Sequence, residues 1–409
     1  MYQFIENEVK AYGNYDVAVC GGGIAGIAAA LAAARSGAKT VLIENQYMLG
    51  GLATAGLVTI YLPLCDGMGH QLSFGLAEEL LRLSVSVGGE NTELRTKAFR
   101  IWLENGTEEE KKKARFEVQY NPNVFAILAE KLLIKEGVEI LYGASVVGAA
   151  VDGGKIQAVA IETREGKLAV SAKSFIDATG DAALYRVCNQ PLAKHEKGNA
   201  LSWWYYELVD GVNTLRLRGA RDIDSAKGKY KDGIDGVGVK ELSDLTTKGH
   251  AKILDDFLLR GNASNEHALT MIPIVPQVRM TRRIYGLYEM ERETDNKKRF
   301  DDSVGMFGDW TKRGPAYELP FSALHDDKIK NLACAGRCFS VKDDMWEITR
   351  VIPVCAVSGE AVGVAAAMSD DFTKIDVATL QAELQKRGVK LHLDEVGIDY
   401  LELKEIKAI

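Results

Sequence analysis

Gly21, Gly23 and Gly26, with Glu44 behind them, are the residues whose types and spacing first suggest chemistry. They sit in the run Gly21-Gly22-Gly23-Ile24-Ala25-Gly26, between apolar residues 15–20 and the alanine-rich residues 27–35. The first glycine permits a tight turn, the second lets the backbone come close to a pyrophosphate, and the third lets helix and strand pack closely. The positive N-terminal end of the helix then faces the phosphates. Glu44 follows Gly21 by 23 residues and ends the apolar run Thr40-Val41-Leu42-Ile43. At the tip of a second strand it accepts hydrogen bonds from adenosine ribose hydroxyls and disfavours a 2′-phosphate. The pattern predicts a dinucleotide site; a purely structural glycine turn is the plainer alternative.

Two further glycine turns extend the site. Leu49-Gly50-Gly51-Leu52-Ala53-Thr54 lets the backbone approach a pyrophosphate or a flavin, or is simply another tight turn. Residues 174–177 read as a strand that turns at Ala178-Thr179-Gly180-Asp181. Between these blocks lie a helix over 125–135 and a strand over 138–142. Three alternating segments follow, 145–151, 155–163 and 168–172, separated by the hairpin turns Asp152-Gly153-Gly154 and Arg164-Glu165-Gly166. Such a meander stands where a nicotinamide domain has a crossover helix. Near the end, residues 331–335 read as a strand, Gly336 as a turn, and 351–367 as a helix carrying Ala356, Ser358, Gly359, Gly363 and Ala365. Small residues there permit close packing against the first helix. The helix N-terminus, around 350–353, would present positive charge and N–H groups to a flavin edge.

These blocks resemble the two-dinucleotide-binding-fold flavoproteins (fumarate reductases, glutathione-reductase-like enzymes and relatives), and within them the bacterial FAD-dependent oxidoreductases. The closing block that carries the likeness is Ala335-Gly336-Arg337-Cys338-Phe339-Ser340, then Arg350-Val351-Ile352-Pro353, then Ser358-Gly359-Glu360. A weaker block runs Val278-Arg279-Met280-Thr281-Arg282-Arg283. The resemblance implies an α/β fold: a Rossmann-like FAD-binding domain with a three-stranded β-meander, plus an inserted α+β substrate or cap domain. The cofactor domain is expected over 1–79, 116–199 and 318–370, a helical insertion over 80–115, the cap over 200–317, and a helical tail over 371–409. Non-covalent FAD is expected against Gly21, Gly23, Ile24, Ala25, Gly26, Glu44, Asn45, Gly50, Gly51, Ala53 and Thr54. Val146, Ala178, Thr179, Gly180, Gly336, Arg337, Val351 and Ile352 complete the expected contacts.

The resemblance implies a hydride exchanged between flavin and a small organic substrate, with an unidentified electron donor or acceptor. Candidate catalytic residues are few. His70 follows Asp66-Gly67-Met68-Gly69 and is either a proton carrier or an ordinary loop histidine. Arg282, in a cluster with Arg279 and Arg283, could clamp a carboxylate or form domain-bridging salt links. Arg350 flanks the expected flavin. Many relatives have a histidine where this chain has Lys342-Asp343-Asp344, so Asp343 is the candidate replacement; Leu287 stands where relatives often have Glu.

Composition narrows the class. The chain has 409 residues, of which 47% are apolar and 26% charged, an ordinary globular balance. A net charge of -7 argues against nucleic acid or an anionic membrane as partner. The six cysteines include no CxxC pair, so neither a disulfide scaffold nor a metal site is expected. Residues 1–15 contain no apolar run, and the apolar stretch 351–368 is broken by Pro353, Ser358 and Glu360, so a cytoplasmic protein is expected. Three rivals stay open: a tRNA-modifying flavoprotein of the glucose-inhibited-division type, a non-catalytic FAD-stabilised binding subunit, and a nicotinamide-only dehydrogenase. The oligomeric state is left open.

Overall fold

The computed structural model describes residues 9–87, 100–115, 117–195, 199, 203–218 and 234–401. Val17, Ala18, Val19 and Cys20 have no exposed surface, as expected for a parallel strand covered on both faces. They end β1 (Lys10–Cys20), which parallels β2 (Thr40–Glu44) on one side. Beyond β2 lies β3 (Glu139–Tyr142). The meander is β4 (Ser145–Asp152), β5 (Lys155–Thr163) and β6 (Gly166–Asp177), turning where the glycines predict. With β7 (Leu332–Cys334), these make a seven-stranded sheet in the order β3-β2-β1-β6-β5-β4, β7 pairing with β6.

One difference from the sequence reading matters. The predicted strands 168–172 and 174–177 are a single strand, β6. The long edge of β1 supplies partners from Lys10 to Cys20, so nothing interrupts β6 at Lys173, which instead pairs with Asp16 at 2.8 Å. On its other edge β6 pairs antiparallel with β5 through its first half and parallel with β7 through its last three residues. The exits of the parallel strands are thereby tied together. Gly21 N–H donates to the Ile43 carbonyl at 2.7 Å, Ala178 N–H to Cys20 at 2.8 Å, and Ala335 N–H to Asp177 at 3.0 Å.

Two apolar helices cross this sheet. The first is α1 (Ile24–Arg35), buried from Ile24 to Ala33 because it lies between the sheet and α3 (Ile352–Met368). Glycine makes this contact possible: a Cβ on Gly359 would lie 2.3 Å from the Ala25 carbonyl oxygen, and one on Gly363 2.3 Å from that of Ala29. Burial explains why α3 is apolar on every face. Among the described residues, no single helix is long and apolar enough to cross a membrane. Glu360 of α3 is also buried; its carboxylate accepts from Leu76 N–H at 2.7 Å, holding the start of α2 (Leu76–Ser84).

Away from the main sheet, Trp203–Val209, Val212–Arg218 and His267–Met271 form a three-stranded antiparallel sheet under the helix Val239–Leu259. Trp203, Tyr205 and Tyr206 are buried, so the aromatic run serves as sheet core. Gly249 leaves room on the helix for the Trp203 ring, 2.3 Å from where its Cβ would be. The glycine- and charge-rich stretch predicted as a loop over 219–238 lies outside the described residues up to 233. So do 88–99 of the predicted helical insertion and 402–409 of the tail. In that insertion the acidic-basic run forms one helical turn, Glu108–Lys111, with pairs at i,i+3 rather than the predicted i,i+4. The tail helix spans Val377–Lys386.

Gly363→Ala should lower stability despite alanine's advantage of about 1 kcal/mol in a helix interior. Overpacking costs about 1–3 kcal/mol, so denaturant melts should show a net loss with unchanged m. Glu360 gives a second expectation. Burial pushes its carboxyl up to about 7, against the pull of Leu76 N–H. The folded state then holds this proton more tightly than the unfolded chain, so its contribution is complete below about pH 4.5 and is lost as pH rises through 7. Glu360→Gln should remove a slope on the order of 3 kcal/mol across that window, read from melts at several pH values.

Candidate functional site

Three turns meet at the carboxyl edge of the main sheet. In the first, Gly21 has φ +105, and a Cβ there would strike the Ala178 carbonyl at 2.5 Å. Gly26 lies so close to the strand exit that its Cβ would fall 1.8 Å from the Gly21 oxygen. Gly23 is different: its Cβ would meet nothing within 4 Å. It is the N-cap of α1, which has no side-chain cap. A backbone cradle open on one side is the arrangement that receives a phosphate.

Glu44 is buried beside this turn. Its Oε2 accepts from Gly22 N–H at 2.6 Å and its Oε1 from Gln46 N–H at 2.7 Å. Burial pushes its carboxyl above the usual range, opposed by those N–H groups. Each oxygen keeps acceptor capacity for a ribose hydroxyl. The second turn, with positive φ at Gly50 and Gly51, is joined to the first by Gly50 N–H donating to Gly22 at 2.8 Å. Thr54 braces it by donating its hydroxyl to the Leu49 carbonyl.

The third turn is organised by Asp177, fully buried at the end of β6. One oxygen accepts from Thr179 N–H and Oγ1 at 3.1 and 2.7 Å, the other from Leu184 and Tyr185 N–H at 2.9 and 3.1 Å. Arg337 clasps the same region. Its Nε donates to the Gly180 carbonyl at 2.7 Å, Nη1 to Val278 at 3.0 Å and Nη2 to Asp181 at 2.7 Å. Gly336 turns at φ +83 and donates its N–H to Ser358 Oγ at 3.0 Å.

The turns enclose a cleft of about 390 Å³. Of the expected cofactor contacts, Gly21, Gly23, Ile24, Ala25, Glu44, Asn45, Gly50, Gly51 and Ala53 line it, and so do Ala178, Thr179, Gly180, Gly336, Arg337 and Ile352. Gly26, Thr54, Val146 and Val351 do not line the cleft. Gly26 and Thr54 shape its turns, Val146 pairs with Ile161 in the meander, and Val351 is the buried N-cap of α3. Sequence reasoning missed the wall opposite α1, made by Leu242, Ile274, Val275, Pro276, Val278 and Thr281. Its only local signal is the pair Pro273 and Pro276, which marks irregular chain but not its destination.

The candidate catalytic residues divide. Arg350 lines the cleft, donates to Glu347 at 2.5 Å and lies over the Trp310 ring. Arg282 lies outside it. Thr281 faces the cleft and donates to Asp181 at 2.7 Å, and successive residues of an extended chain point to opposite sides. The neighbouring Arg283 donates to Glu289 at 2.6 Å. His70 is also outside, its Nδ1 2.7 Å from Asp66 Oδ2 in a loop that Asp66 closes by accepting from Met68 and His70 N–H. Asp343 begins the helix Asp343–Thr349, outside the cleft and 3.6 Å from Nδ1 of the buried His195. The six cysteines are free thiols, and the Cys334 and Cys338 sulfurs lie 3.3 Å apart. Cys355 lines the cleft, its thiol pushed up to about 12 by burial.

Comparison with known proteins adds the following. A family model described as FAD dependent oxidoreductase matches residues 16–201 and 190–384. A thioredoxin reductase of Ureaplasma parvum serovar 3 is 37% identical over 73 residues, 18% of this chain. The match spans about a quarter, 24%, of that relative's length. Among solved structures, a geranylgeranyl bacteriochlorophyll reductase-like protein from Thermoplasma acidophilum aligns with TM-score 0.43 and 15% identity, over 92% of this chain and 82% of that one. The p-nitrophenol 4-monooxygenase PnpA from Pseudomonas putida DLL-E4 aligns with TM-score 0.45 and 12% identity, over 91% and 89%.

Proposed function

The chain belongs to the FAD-dependent oxidoreductase family, and from that premise we propose that its cleft holds FAD non-covalently for hydride transfer with a small organic substrate. The observation that carries this reading is the convergence of three glycine turns and one buried acid on a single cleft. FAD, when bound, supplies the two-electron chemistry, and a separate electron donor or acceptor completes each turnover.

Gly23 and the first turn of α1 would take the pyrophosphate, and Glu44 the ribose hydroxyls. The Gly50–Gly51 and Gly336 turns and Ile352 would hold the rest. Gly23 fits this role because only open space stands where its Cβ would be. Arg337 positions: it donates to Gly180, Val278 and Asp181 and so ties the third turn to the wall opposite α1 at Val278. The N-terminus of α3, reaching the cleft at Ile352, brings the positive end of the helix, which favours negative charge developing on a reduced cofactor; Arg350, paired with Glu347, lines the cleft beside it. We assign residues 1–79, 116–199 and 318–370 to the cofactor domain, supported by the main sheet, whose strands all fall within them. Six free thiols support a reducing compartment, the cytoplasm.

Purified protein should be yellow, with FAD released on denaturation. Gly23→Val apoprotein should melt like the parent apoprotein yet bind FAD at least about tenfold more weakly in Kd, because its side chain enters the phosphate cradle. Glu44→Ala should weaken FAD by about 1.5–3 kcal/mol in fluorescence titrations of the apoprotein. Parent-like affinity in Glu44→Ala would remove the ribose assignment.

A further inference from the structure

The wall opposite α1 is a strap of irregular chain, residues 274–281, strung between two of the glycine turns. At one end Ile274 N–H donates to the Ala55 carbonyl at 3.0 Å, and the buried Gln277 amide donates to Gly56. At the other end, Arg337 holds the Val278 carbonyl and Thr281 donates to Asp181. The side chains this strap and the adjoining helix bring to the cleft are Ile274, Val275, Pro276, Val278 and Leu242, with Thr281 the one polar member, its hydroxyl given to Asp181. Ile274, 64% exposed, is the large apolar side chain that the strap sets at the cleft.

The charges reaching the cleft are already committed among the described residues. The charge of Arg337 is balanced by Asp181, its other bonds going to the Gly180 and Val278 carbonyls, and that of Arg350 is balanced by Glu347. Asp181 is held by Arg337 and Thr281, and Glu44 by two backbone N–H groups. The arginine cluster that might clamp a carboxylate is not among the lining residues. An anion entering here would lose hydration to meet two cations whose charge Asp181 and Glu347 already balance, and would meet the negative pyrophosphate besides. An uncharged molecule would gain by covering Ile274 and its neighbours.

We propose that the substrate of this cleft is an uncharged, predominantly apolar molecule seated against the strap, with Ile274 a specificity-determining residue; this rests on the cofactor reading above. The test titrates FAD-loaded enzyme with neutral and anionic probes of matched skeleton, benzyl alcohol against benzoate and 1-hexanol against hexanoate. Binding is followed by the flavin difference spectrum. The neutral member of each pair should bind at least about tenfold more tightly, and Ile274→Asp should weaken it about tenfold with FAD content unchanged. Equal or tighter binding of the carboxylates, silence from all four probes, or an unaffected Ile274→Asp variant would overturn the substrate class while leaving the cofactor reading intact. Protein that takes up no FAD under any condition would instead sink the cofactor reading, and this proposal with it.

Discussion

The closeness of α1 to the backbone on either side of it is the constraint on which the rest depends. Gly26 meets the Gly21 carbonyl below, and Gly359 and Gly363 meet the Ala25 and Ala29 carbonyls from α3. With a methyl group at these places the helix would ride higher, and its N-terminus would no longer point along the exits of β1 and β6. Dispersion between close-packed backbones helps to hold α1, whose buried face is mostly glycine and alanine with Ile24, Ile27 and Leu31 among them. The cleft is thus shaped largely by side chains that are missing.

Features set by neighbouring residues are legible in the sequence. The fingerprint at Gly21–Gly26 and the acid at Glu44 sit on consecutive elements, so a strand-helix-strand pattern places them without further knowledge. The hairpin turns at Gly153 and Gly166 are likewise local, and each glycine takes a positive φ. The strap escaped notice because nothing in residues 274–281 says which distant turns they will bridge. Arg282 is singled out by its place in the arginine cluster of the family-like block, which does not say which of those residues reaches the cleft; Thr281 does and Arg282 does not. For His70, either a proton carrier or a loop histidine by sequence, the structure shows a place outside the cleft beside Asp66, which closes the loop.

The polar groups near the cleft mostly hold the walls together. Asp177 gathers four donors, Arg337 three acceptors, and Ser358 reaches from α3 to the Gly336 turn. Buried groups used this way fix geometry, because an unsatisfied donor or acceptor in any shifted arrangement costs about 1–3 kcal/mol. Such a site arrives preorganised. It leaves the electron chemistry to the cofactor and reserves its own side chains for shape and placement.

Because β6 shares its far edge between β5 and β7, the order of synthesis acquires importance. The last three residues of β6 lack their parallel neighbour until Cys334 and the residues before it have left the ribosome, well after the intervening sheet and its helix have emerged. A nascent chain therefore carries an unpaired strand edge at the heart of its future core, an invitation to wrong pairing. Maturation of this enzyme should accordingly lean on chaperone shelter, and truncations that stop short of β7 should yield aggregates in place of a smaller soluble unit.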